Sequence, residues 1–416
     1  MKKKILIIPI WYPTDGNPFA GIFFKEQAEM MLESYDVRIL KFQQRPCLSI
    51  VYFIKRLLGK TIELTQDNFA DTIDVKEAKV FFPLELLVFD LMTGMYTKMT
   101  KRVDGVGNYH SKSYKRLYEK QIMRIYKKLN YDFDLVYGIS AQGIAFQSYL
   151  MSQYAEKPLI LGEHGPFPNP GTVIADTDKL AFENADCFLA ISNDKIRQIL
   201  LQNIHLKNIR YVGNLVDEDK FQLKPTEHEY PTFLIVAAYS FYKNYDMFIE
   251  TMNLLFEKTT KKFRVIIAGY AANKGYSKNE EILEQKINSS KFAGCVELIK
   301  SIPREKMSDL YNRSDAFVMT SIQEGQPVSA IEAACCGLPI FTTRCGGVED
   351  YVSEQIGRVV AITDAEKLSE YLRQFLEGEI VFDAKEIRRT VVEKFGKETF
   401  KKNMNQCFDS VIDQEK

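Results

Sequence analysis

Short apolar runs recur along the chain, each followed by a longer segment whose apolar positions return every three to four residues. The short runs suit strands buried on both faces, and the longer segments suit helices laid over a sheet, so their alternation predicts βαβ units. The first half predicts strands at Lys4–Ile10, Asp36–Phe42, Leu135–Ile139, Pro158–Glu163 and Cys187–Ile191. Its helices fall near Ile22–Ser34, Lys112–Leu129, Gly143–Ser152 and Asp194–Leu201. The second half predicts strands at Phe233–Ala237, Phe263–Ala268, Val296–Ile299, Ala316–Met319, Pro339–Phe341 and Arg358–Val360. Its helices fall near Asp246–Phe256, Lys278–Ile287, Arg304–Tyr311, Val328–Cys335 and Ala365–Leu376. Between the halves, Asn214 to Pro231 is polar, contains Pro225 and Pro231, and has weak periodicity, which marks a boundary. The expectation is an α/β protein of two Rossmann-like, doubly wound parallel-sheet domains facing a cleft. They span 1–213 and 214–395, with a C-terminal helix over 396–416 crossing back to the first domain. Ligands of such folds bind beyond the carboxyl ends of the strands.

Composition narrows the function. The 416 residues carry 55 Lys+Arg and 55 Asp+Glu, which excludes the overall cationic field of a nucleic-acid binder. With 46% hydrophobic and 26% charged residues, disorder and coiled coil are excluded as well. The seven cysteines are odd in number and lack metal-site spacing, so neither a disulfide framework nor a structural zinc is expected. Lys2–Lys4 before Ile5–Ile8 has the charged front of a leader, but Pro9 and the polar residues beyond favour a first core strand. No apolar stretch is long enough to cross a bilayer, so a reducing, cytoplasmic setting is expected.

The most informative segment is Ser321–Pro339, SIQEGQPVSAIEAACCGLP. It follows the apolar run Ala316–Met319 and turns through Gly325. Pro327 then suits the first helical turn, where a missing N–H costs nothing. Gly337 suits the cap, and Pro339 cannot continue the helix. A strand, a glycine loop and a helix start make a ready anion site, because free N–H groups and the helix dipole point at it. Glu324 precedes that helix. Glu332 lies inside it, roughly 7 Å along the axis from its start. Two carboxylates so spaced can address opposite ends of a pyrophosphate-linked ligand. A bare pair of glutamates eight apart is commonplace in a long chain; the strand, loop and helix around it give the pair its meaning.

This segment resembles the E-x7-E region of retaining glycosyltransferases of the GT-B fold, family four (glycosyl transferases group 1). Thr342–Val352, TTRCGGVEDYV, resembles the Gly-Gly-x-x-Glu continuation. Further matches follow in the family's order. Trp11-Tyr-Pro with Ala20-Gly21-Ile-Phe-Phe-Lys-Glu resembles the N-terminal glycine loop, and Glu163-His164-Gly165 the His-Gly at a strand end. Asn184–Ser192 resembles the Ala-Asp…Ser strand, and Val212–Phe221 the linker, with Leu215 as a departure. At Val236-Ala-Ala-Tyr-Ser-Phe-Tyr-Lys243 the family has an arginine five residues before the lysine. Lys243 matches the lysine, and Ala238 stands where the arginine would be. Arg344 or Lys25 is the candidate replacement cation. No counterpart exists for residues 43–110.

The resemblance implies transfer of a sugar from a nucleoside-diphosphate sugar to a saccharide or lipid-linked saccharide hydroxyl, with retention, in surface-polysaccharide synthesis. It implies catalytic roles for Glu324 and His164. Donor binding falls to Lys243, Gly325, Gln326, Pro327, Val328, Ser329, Glu332 and Gly21. No cofactor and no metal is expected. The D-x-D triplets at Asp132–Asp134, Asp176–Asp178 and Asp217–Asp219 are too many to mark one ion. The alternatives are a nucleotide-sugar 2-epimerase of similar fold and a non-catalytic sugar-nucleotide-binding subunit, the latter suggested by Ala238. One charge feature survives the neutral total: residues 98–128 hold ten basic and two acidic residues, a net +8. It follows the apolar segment Val80–Met92. Together they predict peripheral docking on an anionic membrane surface at the inner face.

Overall fold

A computed structural model describes residues 2–14, 20–67, 72–86, 88, 112–168, 174–224, 226–227, 229–271 and 277–413. The chain divides into two units. The first comprises Met1–Ala190, Lys195–Val212 and Asn403–Lys416, and the second Ile191–Asp194 and Gly213–Lys402.

The first unit begins with β1 (Lys4–Pro9), α1 (Ile22–Met31), β2 (Asp36–Cys47), α2 (Ser49–Leu57), β3 (Ile62–Asp67) and β4 (Asp74–Pro83). It continues with α3 (Lys112–Leu129), β5 (Leu135–Ile139), α4 (Ala145–Ala155), β6 (Leu159–Glu163), α5 (Asp176–Asn184) and β7 (Cys187–Ala190). After α6 (Asn193–Leu200) comes β8 (Ile209–Tyr211). The strands form one sheet in the order β3-β4-β2-β1-β5-β6-β7-β8. All its pairings are parallel except β3 with β4. Residues 43–83 thus extend β2 and add a strand hairpin, which the sequence pattern did not resolve. Ile5, Ile7 and Ile8 on β1 and Leu135 to Tyr137 on β5 are buried, as strands covered on both faces must be.

The second unit runs β9 (Thr232–Val236), α7 (Tyr245–Lys258), β10 (Arg264–Ala268), α8 (Ser277–Asn288), β11 (Val296–Ile299), α9 (Met307–Asn312), β12 (Ala316–Met319) and α10 (Val328–Cys335). It continues through β13 (Ile340–Thr343), β14 (Gly357–Val360), α11 (Ala365–Glu377) and α12 (Ala384–Phe395). The last helix, α13 (Lys397–Ile412), starts on residues of the second unit and ends on residues of the first. The sheet is wholly parallel, in the order β11-β10-β9-β12-β13-β14. Alternation along the strands divides the core into two layers. Leu234, Ile266 and Phe317 share one layer with Ile331 of α10 and Ile387 of α12. Phe233, Ile235, Ile267 and Val318 share the other with Phe248 of α7 and Leu368 of α11. Four small residues of α10, Ala330, Ala333, Ala334 and Cys335, are fully buried. They let this helix sit close on the sheet and carry Glu332 into the interior with it.

Candidate functional site

In the second unit, β12 ends at Met319 and the chain turns through Thr320–Gln326 before α10 begins. Two neighbouring segments hold that loop. Thr320 Oγ1 donates to the carbonyls of Lys243 (3.2 Å) and Asn244 (3.1 Å), and Ile322 N donates to Tyr242 O at 2.7 Å. On the other side, Thr343 Oγ1 donates to Ser321 O (2.6 Å) and Glu324 N to Cys345 O (2.7 Å). Gly347 has φ +73°, and a Cβ there would stand 2.1 Å from Gly325 O, so glycine alone fits.

Lys243 ends a single 3₁₀ turn, Phe241–Lys243. Asn244 then takes the left-handed conformation, and its side chain caps α7 by accepting from Met247 N at 3.4 Å. Lys243 Nζ meets Glu324 Oε1 at 2.5 Å, and Ser321 Oγ donates to the same oxygen at 2.6 Å. The Glu324 side chain is 12% exposed and that of Lys243 29%, so this ion pair can be reached from solvent. It can exchange partners with an arriving anion.

Glu332 lies deeper, 2% exposed on the buried face of α10. Arg304 Nη1 pairs with its Oε1 at 2.6 Å, and Tyr311 Oη donates to its Oε2 at 2.9 Å. Burial first, and then the Glu332 charge, raise the Tyr311 hydroxyl far above its ordinary value, so it remains a proton donor. The Arg304 guanidinium also lies 5.0 Å from the Phe221 ring centroid.

Pro327 stands just before α10, which opens at Val328 and Ser329. The next two amides, of Ala330 and Ile331, return to Pro327 O at 3.2 and 3.3 Å. In a helix the amides before them point out of the end. Gln326, expected among the donor-binding residues, uses its side chain otherwise. Its Oε1 accepts from Asn214 N (2.6 Å) and its Nε2 donates to Ile191 O (2.6 Å), while Asn214 Nδ2 donates to Gln326 O (2.8 Å). Sequence reasoning placed Asn214 in the linker and missed this tie.

In the first unit, β6 delivers Glu163 and His164 at its carboxyl end. Glu163 is buried and accepts from Ser140 Oγ (3.2 Å), Gln142 N (2.9 Å), His164 N (2.8 Å) and Gly165 N (2.8 Å). Burial raises its carboxyl, and the Lys195 charge and these donors act against that. Lys195, itself buried, donates to Gly165 O and to Gln198 Oε1 (2.8 Å). Glu163 therefore shapes the turn that carries His164. A carboxylate directly before His-Gly, at the end of an apolar strand, was the available signal. The His164 ring lies edge-on to Phe24, with centroids 4.9 Å apart, and its Nδ1 is buried without a hydrogen-bond partner among the described residues. Gly21, with φ +67°, opens α1 one turn before Phe24; a Cβ there would stand 2.7 Å from Trp11 O. The unit thus brings Gly21 and His164 to the same helix end.

Burial, reinforced by the Lys195 charge, holds the His164 imidazole down at about 3, so it is neutral near pH 7. The unfolded chain takes up that proton near pH 6.5. Stability is therefore complete above about pH 6.5 and is lost as pH falls toward 3. Between pH 7.5 and 5 the melting temperature should drop more steeply in the wild type than in His164→Asn. Equal slopes would mean that the folded ring is protonated.

Lys25 pairs with Glu29 at 2.9 Å, and Arg344 is exposed. The D-x-D aspartates serve the fold: Asp134 accepts from Lys4 N, Asp178 from Gly143 N, and Asp217 and Asp219 pair with Lys397. Among the described residues, no group of three or more His, Cys, Asp or Glu side chains converges as a metal site would. Of the basic run 98–128, residues 98–111 lie outside the described residues. The start of the apolar segment before it is core: Val80 and Phe82 of β4 are fully buried. No helix among the described residues is long and apolar enough to cross a membrane.

Residues 216–397 match the family described as glycosyl transferases group 1. The chain is similar to the amylovoran biosynthesis glycosyltransferase AmsK of Erwinia amylovora, 24% identical over 48% of this chain and 49% of that protein. It is also similar to the N,N'-diacetylbacillosaminyl-diphospho-undecaprenol alpha-1,3-N-acetylgalactosaminyltransferase of Campylobacter jejuni, 28% identical over 50% of this chain and 55% of that one. The chain thus spans about half the length of the curated relatives it matches. In fold it is similar to Anabaena HepE, solved in complex with UDP and glucose, with a TM-score of 0.68 and 15% identity over 98% of this chain and all of that one.

Proposed function

We propose, starting from the match of residues 216–397 to the glycosyl transferases group 1 family, that the chain moves a sugar from a nucleoside-diphosphate sugar to a saccharide hydroxyl with retention of configuration. The acceptor is a saccharide or a lipid-linked saccharide of surface-polysaccharide synthesis, met at the inner membrane face. The observation that carries this reading is the solvent-accessible Lys243–Glu324 pair at the open end of α10, with the Glu332 carboxylate farther along the same helix.

In this reading Lys243 turns from Glu324 to the diphosphate, and the amides of Val328 and Ser329 take phosphate oxygens. Glu332 accepts from the ribose hydroxyls. Arg304 and Tyr311 hold that carboxylate in its orientation. Glu324, released from Lys243, accepts donor-sugar hydroxyls and faces the positive charge that develops at the anomeric carbon. In the first unit, which we assign to the acceptor, His164 offers a neutral imidazole, and the Gly21 turn lets a backbone approach an anion. Lys243 and the helix end offset the negative charge that builds on the leaving diphosphate, so the proposal includes no metal.

A thermal-shift screen of UDP- and GDP-sugars tests donor binding. A ligand at about 100 times its Kd adds about 2.7 kcal/mol, which for units of this size raises the melting temperature by several degrees. If no nucleotide sugar raises it, the reading fails. Release of free sugar from the bound donor would set a transferase apart from a subunit that only binds.

A further inference from the structure

α2 turns its apolar side chains outward. Leu48, Ile50, Val51, Phe53, Ile54, Leu57 and Leu58 are 42–70% exposed, whereas Tyr52, at 7%, anchors the helix. Apolar exposure concentrated in this way marks a contact surface. Lys55 completes the anchorage: its Nζ stands 3.4 Å from the Phe81 ring centroid on β4 and 3.8 Å from Glu63 Oε1. Around the helix basic residues predominate. Residues 45–62 contain Arg45, Lys55, Arg56 and Lys60 and no acidic residue, in a chain whose total is neutral. The basic helix α3 extends this rim. Its Arg124 Nη1 donates to Thr61 Oγ1 at 3.1 Å, and its Lys120, Lys127 and Lys128 are exposed.

We propose that α2 with this basic rim is a docking surface for an anionic lipid membrane; the idea rests on the proposed lipid-linked acceptor for its purpose. The nine residues of α2 span about 14 Å, so the helix can lie in the headgroup boundary but cannot cross the hydrocarbon. Its apolar side chains enter the acyl edge while Arg56, Lys60 and the α3 lysines meet lipid phosphates. Charge selects lipid over a second copy of the chain. A two-fold contact would set this net-basic rim against its own equivalent.

Flotation of the full chain with lipid vesicles tests the proposal. The wild type should float with vesicles containing roughly one-third phosphatidylglycerol and stay behind with phosphatidylcholine alone. The triple variant Ile50→Gln, Phe53→Gln, Leu57→Gln should lose binding at least about tenfold, and Arg56→Gln with Lys60→Gln several-fold. These side chains are exposed, so the variants should keep the wild-type melting temperature. The proposal is overturned if the wild type ignores anionic vesicles or if the triple variant floats as well as the wild type. It also falls if the wild type sediments as a dimer that the triple variant dissolves, without vesicle binding. The donor-induced thermal shift is the separate readout. Its survival in the triple variant assigns the loss to docking alone, whereas its absence from the wild type counts against the proposed activity and leaves the vesicle result standing.

Discussion

Glu324→Gln should lower kcat by about 100- to 1,000-fold while donor KM changes little. The amide keeps the shape of the side chain and can still accept from Ser321 Oγ, so the loop tied to Lys243, Asn244 and Cys345 should hold its course. What goes is the negative charge. Ground-state binding of the diphosphate does not need that charge; without it Lys243 is freer to bind the donor. In the proposed mechanism the transition state does need it, because positive charge builds at the anomeric carbon. A loss confined to kcat therefore marks an interaction made only in the transition state. A raised KM with kcat intact would assign Glu324 to simple binding and remove it from catalysis.

Glu332→Ala should raise donor KM by at least about tenfold, with a smaller effect on kcat. In the proposed reading its carboxylate holds the nucleoside end of the donor, away from the bond that breaks. The same change strands Arg304 and Tyr311, so part of the effect will be lost stability. Tyr311→Phe separates the two causes. It removes one hydrogen bond at about 1 kcal/mol of stability but leaves the carboxylate, so donor KM should stay within a few-fold of the wild type. Steady-state kinetics beside melting curves for both variants will show which cause dominates.

Much of the second unit was legible from local signals. β12 and α10 occupy the positions read from Ala316–Met319 and Val328–Cys335, because strand length, Pro327 and Gly337 each act within a few residues. The hairpin β3–β4 was not legible. Its strands mix buried and exposed positions, and β2 runs on past Phe42, where the apolar run ends. α2 was hidden for the opposite reason: nearly all its apolar residues face outward, so no core-facing stripe announced a helix. Among the candidate residues of the two units, Glu324, Glu332, Lys243 and His164 could be named from type and order, but their partners could not. Asn214 meets Gln326 across 112 positions, and Arg304 meets Glu332 across a strand and two helical segments. Contacts that distant follow from the packing of the sheet and leave no local pattern. The loss of the expected arginine at Ala238 likewise looked like a gap in charge. The Lys243–Glu324 pair places a cation at the loop.

The central claim is that the donor diphosphate takes the place of Glu324 beside Lys243. Calorimetric titration of the nucleoside diphosphate selected by the thermal screen tests it most directly. The wild type should bind, Lys243→Met should weaken Kd by at least about tenfold, and Glu324→Gln should bind as tightly as the wild type or more tightly. Equal affinity in the wild type and Lys243→Met would contradict the account.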